Sequence, residues 1–231
     1  MWPAAQQGFL TLTTNLEGYT PFMYLDIKGY VTTGIGNLIE NTANGTPGGA
    51  YSPFNMKWRR NSDNQLASHD EIAAEWEQIK ARQDDKLKGG FYFKQFTTLH
   101  LDDAAIQDIV ANVAAQFENT LKGRFADWAN WPADAQCATM LVAWAYGPGF
   151  SDTSKGFRGQ IVTALKNDAF ATAASCFPSS QLATNRNNAC QLLYQNADVV
   201  EVNSLDPSLL YYPKNLAKGD DPSGGGGPIP K

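Results

Sequence analysis

The stretch Glu17–Leu38, EGYTPFMYLDIKGYVTTGIGNL, decides the fold predicted for this chain. It begins at the end of an apolar-periodic segment, residues 4–17, in which apolar side chains recur at i, i+3 and i+7. Gly18 follows, and glycine commonly ends a helix because it adopts a positive φ without strain. We therefore expect a helix over 4–17, with Glu17 in its last turn, where the helix dipole disfavours a charged carboxylate.

Further along the same stretch, the periodicity changes from helical to alternating. Residues 22–39 place strand-forming aromatic and β-branched side chains on both sides of Asp26-Ile27-Lys28-Gly29, which has the composition of a tight turn. Thr32 stands on the return strand, which a Gly-Ile-Gly sequence closes. The pattern predicts a β-hairpin with Asp26 at its turn and Thr32 on its second strand.

Residues 41–67 are rich in Asn, Gly, Pro and Ser and predict a long loop, of the kind that is often functional. The loop carries Trp58, Arg59 and Arg60 in succession. One interpretation is a surface turn with a packed tryptophan. The other is an aromatic and basic rim that contacts an anionic glycan.

Helices dominate the rest of the chain. Ser68 and Glu71 fit a capping box that starts a helix running to about Lys88, and FYFKQF at 91–96 is apolar but of uncertain conformation. Further helices are predicted at 102–122, 132–146, 155–166, 168–176 and 185–195. The one at 132–146 is apolar nearly all round, which is typical of the centre of a lobe. The last 14 residues, KGDDPSGGGGPIPK, predict a flexible tail over 218–231.

The bulk composition is that of a packed globular protein. Of the 231 residues, 43% are hydrophobic and 12% aromatic. The formal charge of −5 argues against a nucleic-acid-binding protein, which normally has a basic surface. A wall-binding protein of this charge would need local basic groups.

Cysteine and histidine usage predicts neither a disulfide framework nor a metal site. The three cysteines, Cys137, Cys176 and Cys190, have no CxxC spacing and are expected to be buried apolar thiols. His69 and His100 stand alone, without ligand spacing, so we expect no metal and no cofactor.

The N-terminus has no basic region followed by an apolar run, and no segment reaches the roughly 20 apolar residues of a membrane span. We expect a protein that is made in the cytoplasm without a signal peptide, does not insert in membranes, and reaches any external target through another system. We also expect it to be a monomer.

The two acidic residues of the opening stretch suit hydrolysis of a glycosidic bond. That reaction needs one protonated carboxyl, which protonates the leaving oxygen, and one ionised carboxylate, which activates water or stabilises the oxocarbenium-like centre. Glu17, at a helix end and expected to face an apolar cleft, suits the acid. Asp26, beside a turn and near hydroxyl groups, suits the ionised partner.

The pattern E-G-x7-D-x5-T-x-G-x-G after a short amphipathic helix resembles the phage-type lysozymes of glycoside hydrolase family 24. MLVAWAYG at 140–147 resembles the buried central helix of that family, and TNRNNACQLL at 184–193 resembles its Asn-Arg segment. The resemblance covers about 4–40 and 100–200. It implies an α+β, mostly α, lysozyme-like fold, in which a small β-hairpin lobe and a helical lobe enclose the active-site cleft.

The resemblance also implies roles for particular residues. Glu17 would be the general acid, Asp26 the carboxylate that positions or activates water, and Thr32 a residue that helps to hold that water. Sugar-binding positions would be Leu38, Trp144 and Arg186. Trp144 could equally be a core aromatic, and the Arg186 cation would approach the acid. The family is generally regarded as inverting.

The domain organisation that follows is one catalytic domain over 1–217. Its hairpin lobe would cover about 18–100, including an insertion at 41–100, and its helical lobe would cover about 101–205 packed with helix 4–17. Two features depart from the family. Asn37 stands where many members have histidine, and the acidic charge favours an antibacterial effector domain carried by a secretion apparatus, with a possible immunity protein, over a phage endolysin.

The function expected is therefore that of a muramidase, which cleaves the β-1,4 bond between N-acetylmuramic acid and N-acetylglucosamine in bacterial peptidoglycan. Two alternatives remain open. One is a catalytically silent module that binds peptidoglycan, and the other is a related glycosidase acting on chitin or chitosan.

Overall fold

A computed structural model describes residues 1–48 and 51–223. The fold is α+β and mostly α, as expected, with about 54% helix and small antiparallel sheets. The chain divides into two compact units: Glu17–Ala111, and Met1–Leu16 together with the described residues from Asn112 onward. Within the described ranges, no helix combines the length and apolar character needed to cross a membrane.

The predicted hairpin is confirmed in the unit Glu17–Ala111. Its three antiparallel strands follow chain order, β1 Thr20–Leu25, β2 Val31–Gly34 and β3 Asn37–Leu38. Two further antiparallel pairs join β4 Glu40–Asn41 to β5 Thr46–Pro47 and β6 Arg59–Arg60 to β7 Leu99–His100. The segment predicted as a long loop is therefore interrupted by short strands.

Helix α2, His69–Lys80, begins at the predicted capping box, which is confirmed by reciprocal Ser68 and Glu71 hydrogen bonds. The prediction that this helix runs to about Lys88 is wrong. The apolar face of α2 ends at Ile79, and the residues that follow are mostly charged and have no apolar face to bury. The chain continues instead as two 3-10 helices, Gln83–Lys88 and Gly90–Phe96, and Leu87 is 78% exposed.

The region 41–100, expected as an insertion, contributes directly to the core of its unit. Trp58, Trp76, Ile79 and Phe93 are all buried. The indole Nε1 of Trp76 donates to the carbonyl of Ile39 at 3.1 Å, so α2 is tied to the chain that immediately follows the hairpin. The hairpin and the region after it therefore form one packed body.

The other unit is helical and matches the predicted helices closely. The helices are α1 Pro3–Glu17, α3 Asp103–Lys122 (each of which crosses a boundary between the two ranges), α4 Ala133–Tyr146, α5 Gly156–Leu165, α6 Phe170–Ser175 and α7 Thr184–Val202. All residues from Ala133 to Ala143 are buried, which confirms the central position predicted for α4. Helix α7 is longer than predicted because buried Ala197 and Val200 continue its apolar face.

A buried polar cluster holds the C-terminal segment of this unit on α4 and α7. The Asp134 carboxylate accepts hydrogen bonds from the backbone N–H groups of Tyr211 (2.8 Å) and Tyr212 (3.0 Å) and from Asn196 Nδ2 (3.2 Å). Asn196 also bonds the backbone of Lys214 and Leu216. Burial raises the pKa of Asp134 from 3.8 to about 6.

The burial predicted for the cysteines is found at two of the three, and only part of the predicted tail lies within the described residues. All three cysteines are free, and Cys137 and Cys190 are buried, as expected, whereas Cys176 is half-buried. Burial raises the pKa of the Cys190 thiol to about 12. Of the predicted tail, 218–231, the residues from 224 onward lie outside the described part of the chain.

Candidate active site

The Asp26 carboxylate is oriented by the backbone of the hairpin turn. Its Oδ1 accepts hydrogen bonds from the N–H groups of Lys28 (2.8 Å) and Tyr30 (2.9 Å). Backbone bonds from Gly29 to Asp26 and from Asp26 to Tyr30 close the turn. The side chain is half-buried, and within the described residues Oδ2 takes no hydrogen bond. One carboxylate oxygen is therefore fixed, and the other can accept a bond from water or a ligand.

Helix α2 supports this turn from the side. The Gly29 carbonyl accepts hydrogen bonds from Lys80 Nζ (3.1 Å) and from Gln83 Nε2 (3.1 Å). Gly29 has a φ of +83°, and a Cβ there would lie 2.2 Å from Gln83 Oε1. The turn therefore requires glycine for its backbone conformation, and a larger residue would also displace the end of the Gln83 side chain.

The same lysine forms an ion pair with a buried carboxylate. Lys80 Nζ bonds Glu40 Oε1, and Glu40 Oε2 accepts from the N–H of Val31 at 2.8 Å. The Glu40 side chain is 1% exposed and that of Lys80 is 28% exposed. Lys80 thus links Gly29, in the Asp26 turn, through Glu40 to Val31 at the start of β2. Neither residue was predicted, because a pair 40 positions apart leaves no local sequence signal.

Thr32 and Leu38 lie on adjacent strands of the hairpin sheet. Thr32 is buried, pairs with Leu38 across β2 and β3, and pairs with Tyr24 across β1 and β2. Its Oγ1 donates to the carbonyl of Tyr30 at 3.2 Å, and Tyr30 also bonds Asp26. Leu38 is half-buried. The structure therefore brings Asp26, Thr32 and Leu38 together in one small sheet.

Glu17 is the last residue of α1, and Gly18 follows with a φ of +78°, as predicted. The Glu17 side chain is exposed. Burial in apolar surroundings is the usual way in which an enzyme keeps a carboxyl protonated. The exposed Glu17 side chain lacks that burial.

Trp144 and Arg186 belong to the helical unit. Trp144, in the last turn of α4, is half-buried and packs edge-on against Phe9 (5.6 Å between ring centroids) and tilted against Phe117 (6.0 Å). Arg186, near the start of α7, is 8% exposed. Burial lowers the pKa of its guanidinium, which the nearby Cys190 partly opposes. Trp144 therefore packs as a core aromatic of the helical unit, and Arg186 is a largely buried cation.

Asn37 stabilises a glycine turn. It is buried, and its Oδ1 accepts from the N–H of Ile35 at 3.3 Å. Gly34 has a φ of +65°, and a Cβ there would lie 2.7 Å from Asn37 Oδ1. The amide is therefore engaged by the turn between β2 and β3.

The interpretation of Trp58, Arg59 and Arg60 as a glycan-binding rim is wrong. Trp58 is 1% exposed, and its Nε1 donates to the carbonyl of Pro53. Arg59 pairs with Asp102, and Arg60 pairs with Asp63 and Glu71. The tryptophan is a core residue, and both arginines are committed to contacts within the unit.

In the described ranges, no three His, Cys, Asp or Glu side chains are grouped so that they could hold a metal ion.

Comparison of the chain with protein-family models, curated proteins and solved structures found no match.

Proposed function

We propose that this chain is a peptidoglycan hydrolase, a muramidase that cleaves the β-1,4 bond between N-acetylmuramic acid and N-acetylglucosamine. The observation that carries the proposal is the geometry of Asp26. Two backbone N–H groups fix one oxygen of this carboxylate and the other takes no hydrogen bond from the described residues, in a hairpin that follows a helix-end glutamate. The lysozyme-like sequence pattern supports the same assignment.

In the proposed mechanism, Glu17 gives its proton to the leaving oxygen of the glycosidic bond. Asp26 is the base in this mechanism: two N–H donors hold its Oδ1 in place, and its Oδ2 accepts a proton from the attacking water. The Thr32 hydroxyl donates a hydrogen bond to the Tyr30 carbonyl, and its oxygen can accept a hydrogen bond from that water. Leu38, half-buried on the strand next to Thr32, would contact the sugars. Direct attack by water would invert the anomeric centre.

The test uses variants that preserve the local structure. Asp26→Asn keeps the Oδ1 acceptor for the two backbone N–H groups and removes the charge, and Glu17→Gln removes the acid. Glu77→Gln, at an exposed position on α2, is the matched control. Turbidity of purified sacculi and mass spectrometry of the products are the readouts. We expect new reducing ends on muramic acid, with rates lowered roughly 100-fold or more in the two site variants and unchanged in the control.

Clearing of sacculi by Glu17→Gln at the wild-type rate would reject the assignment of the acid. New reducing ends on N-acetylglucosamine, or release from chitin or chitosan instead of sacculi, would identify a different glycosidase.

The exposure of Glu17 favours a second candidate, a module that binds peptidoglycan without cleaving it. A catalytic acid normally needs apolar surroundings, and a binding module does not. Retention of the wild-type chain on sacculi without release of muropeptides would support this candidate over the hydrolase.

The biological setting follows from the proposed substrate. A muramidase acts in the cell wall of a host or target bacterium, so the chain would be delivered there by another system. An antibacterial effector of this kind would require an immunity protein in the cell that makes it.

A further inference from the structure

A groove with a volume of about 730 Å³ lies on the unit Glu17–Ala111, at the start of β1, whereas Asp26 follows the other end of that strand. Its volume lies in the range of about 300–1,000 Å³ that holds small organic ligands. The floor and one wall are apolar and comprise Pro21, Phe22, Phe91, Leu99 and Leu101. Most of the residues that build it follow the hairpin in sequence.

One aromatic ring of the groove is directed to solvent. Phe91 is 73% exposed, although its neighbour Phe22 is buried and meets it edge-on at 6.1 Å between centroids. A largely exposed phenylalanine beside a groove offers a flat apolar surface at no cost in core packing. The apolar face of a pyranose ring is complementary to such a surface.

The polar side of the groove includes a histidine whose tautomer is set by its partner. Asn61 Nδ2 donates to the carbonyl of Thr97 at 3.3 Å, which turns Asn61 Oδ1 towards His100 Nδ1 at 2.8 Å. Since an amide oxygen only accepts, Nδ1 carries the proton of the neutral ring, and Nε2 is the acceptor. No hydrogen bond within the described residues engages Nε2.

The formal charges around the groove balance, with Asp102 and Asp103 against Arg59 and Lys94, although Asp102 is the lining carboxylate that is ion-paired within the described residues. Asp102 pairs with Arg59 and accepts from the N–H of Ala105, and Asp103 accepts from the Tyr19 hydroxyl. Lys94 is exposed at the edge. This arrangement does not favour a strongly charged ligand. It favours a neutral, amphipathic ligand that has one apolar face and an N–H or O–H group to donate.

Buried hydrogen bonds hold the wall between Thr97 and Leu99 in place. Glu75 Oε2 on α2 accepts from the backbone N–H and the hydroxyl of Thr98 and from the N–H of Leu99 at 3.0 Å. The groove is therefore largely preformed, which reduces the entropy lost on binding.

We propose that this groove binds a chain of N-acetylated hexosamines, with a pyranose ring against Phe91 and an acetamido N–H donated to His100 Nε2. The choice of an acetylated sugar as the ligand rests on the proposed function. The groove would be a second binding site for the glycan, in addition to the site at Asp26. The same chemistry occurs in peptidoglycan glycan strands and in chitin, so the test compares both sources.

The experiment measures binding without turnover, by isothermal titration calorimetry on the full chain carrying Glu17→Gln. The ligands are peptide-free glycan strands, chitotetraose and cellotetraose, the last of which lacks the acetamido group. Phe91→Ala and His100→Ala are each added to Glu17→Gln. Leu87→Ala is the matched control, because Leu87 is an equally exposed apolar side chain that does not line the groove.

We expect Phe91→Ala and His100→Ala each to weaken binding of the acetylated oligomers about 3- to 10-fold, and Leu87→Ala to leave it unchanged. Preference for glycan strands over chitotetraose would identify the wall as the source, and the reverse would identify chitin.

Equal affinity of the Phe91→Ala and Leu87→Ala chains would overturn the proposal, as would equal binding of cellotetraose and chitotetraose. Because hydrolysis by the wild-type chain is scored separately, a chain that cleaves sacculi but shows no effect of Phe91 rejects the groove alone. A chain that binds through Phe91 without cleaving rejects the hydrolase alone.

Discussion

Replacing Lys80 by methionine should destabilise the unit Glu17–Ala111 more than any surface lysine substitution. The change leaves the Glu40 carboxylate, whose side chain is 1% exposed, with the Val31 N–H as its remaining partner among the described residues. Breaking a buried ion pair by removing one member typically costs about 3–5 kcal/mol. Lys80 is 28% exposed, so water already screens its ammonium group, and we expect a loss near the lower limit, about 3 kcal/mol.

Urea unfolding monitored by tryptophan fluorescence provides the assay. With a denaturant slope of about 2 kcal/mol/M, a loss of about 3 kcal/mol lowers the midpoint by roughly 1.5 M. Lys88→Met is the control, because Lys88 is exposed and forms no ion pair in the described residues. The double variant Glu40→Gln/Lys80→Met removes both charges and should recover most of the lost stability.

The reasoning is refuted if Lys80→Met unfolds at the same urea concentration as Lys88→Met. It is also refuted if the double variant is no more stable than Lys80→Met, because the loss would then come from packing of the lysine stem and not from the stranded carboxylate.

Two further predictions concern groups whose surroundings the structure defines. Because its folded-state pKa is raised, the contribution of Asp134 to stability is fully present below about pH 3.8 and is lost as the pH rises through about 6; the difference amounts to about 2 kcal/mol between pH 4 and 7. Asp134→Asn should lower the free energy of unfolding overall and remove its dependence on pH, as measured by urea unfolding at each pH. An unchanged pH dependence would contradict the assignment to Asp134. Ser68→Ala should remove the α2 cap at a cost of about 1 kcal/mol in thermal unfolding, whereas the exposed Ser62→Ala should not; equal losses would argue against the capping role.

The features predicted correctly from sequence are those with a local cause. The positive φ of Gly18, the turn after Asp26 and the capping box at Ser68 each depend on residues within a few positions of one another. The burial of α4 follows from an apolar composition that leaves no polar face. These signals are enough to predict an α+β, mostly helical chain.

The features missed depend on contacts between distant segments. Glu40 looks like an ordinary polar residue near a loop, and its partner follows 40 positions later. The groove draws on three separate stretches of the chain, 19–22, 61 and 91–104, so no single sequence motif predicts it. The early end of α2, by contrast, has a local cause that the prediction overlooked, because the residues after Ile79 are mostly charged and provide no apolar face.

The contacts of α2 also bear on how the region 41–100 could have been acquired. If this region had been a self-contained addition, excising it would leave an intact hairpin behind. Here excision would remove Lys80, strand the Glu40 charge and expose the Ile39 carbonyl that Trp76 covers. The region 41–100 is therefore not a separable addition, because the Glu40 charge and α2 depend on each other for their stability.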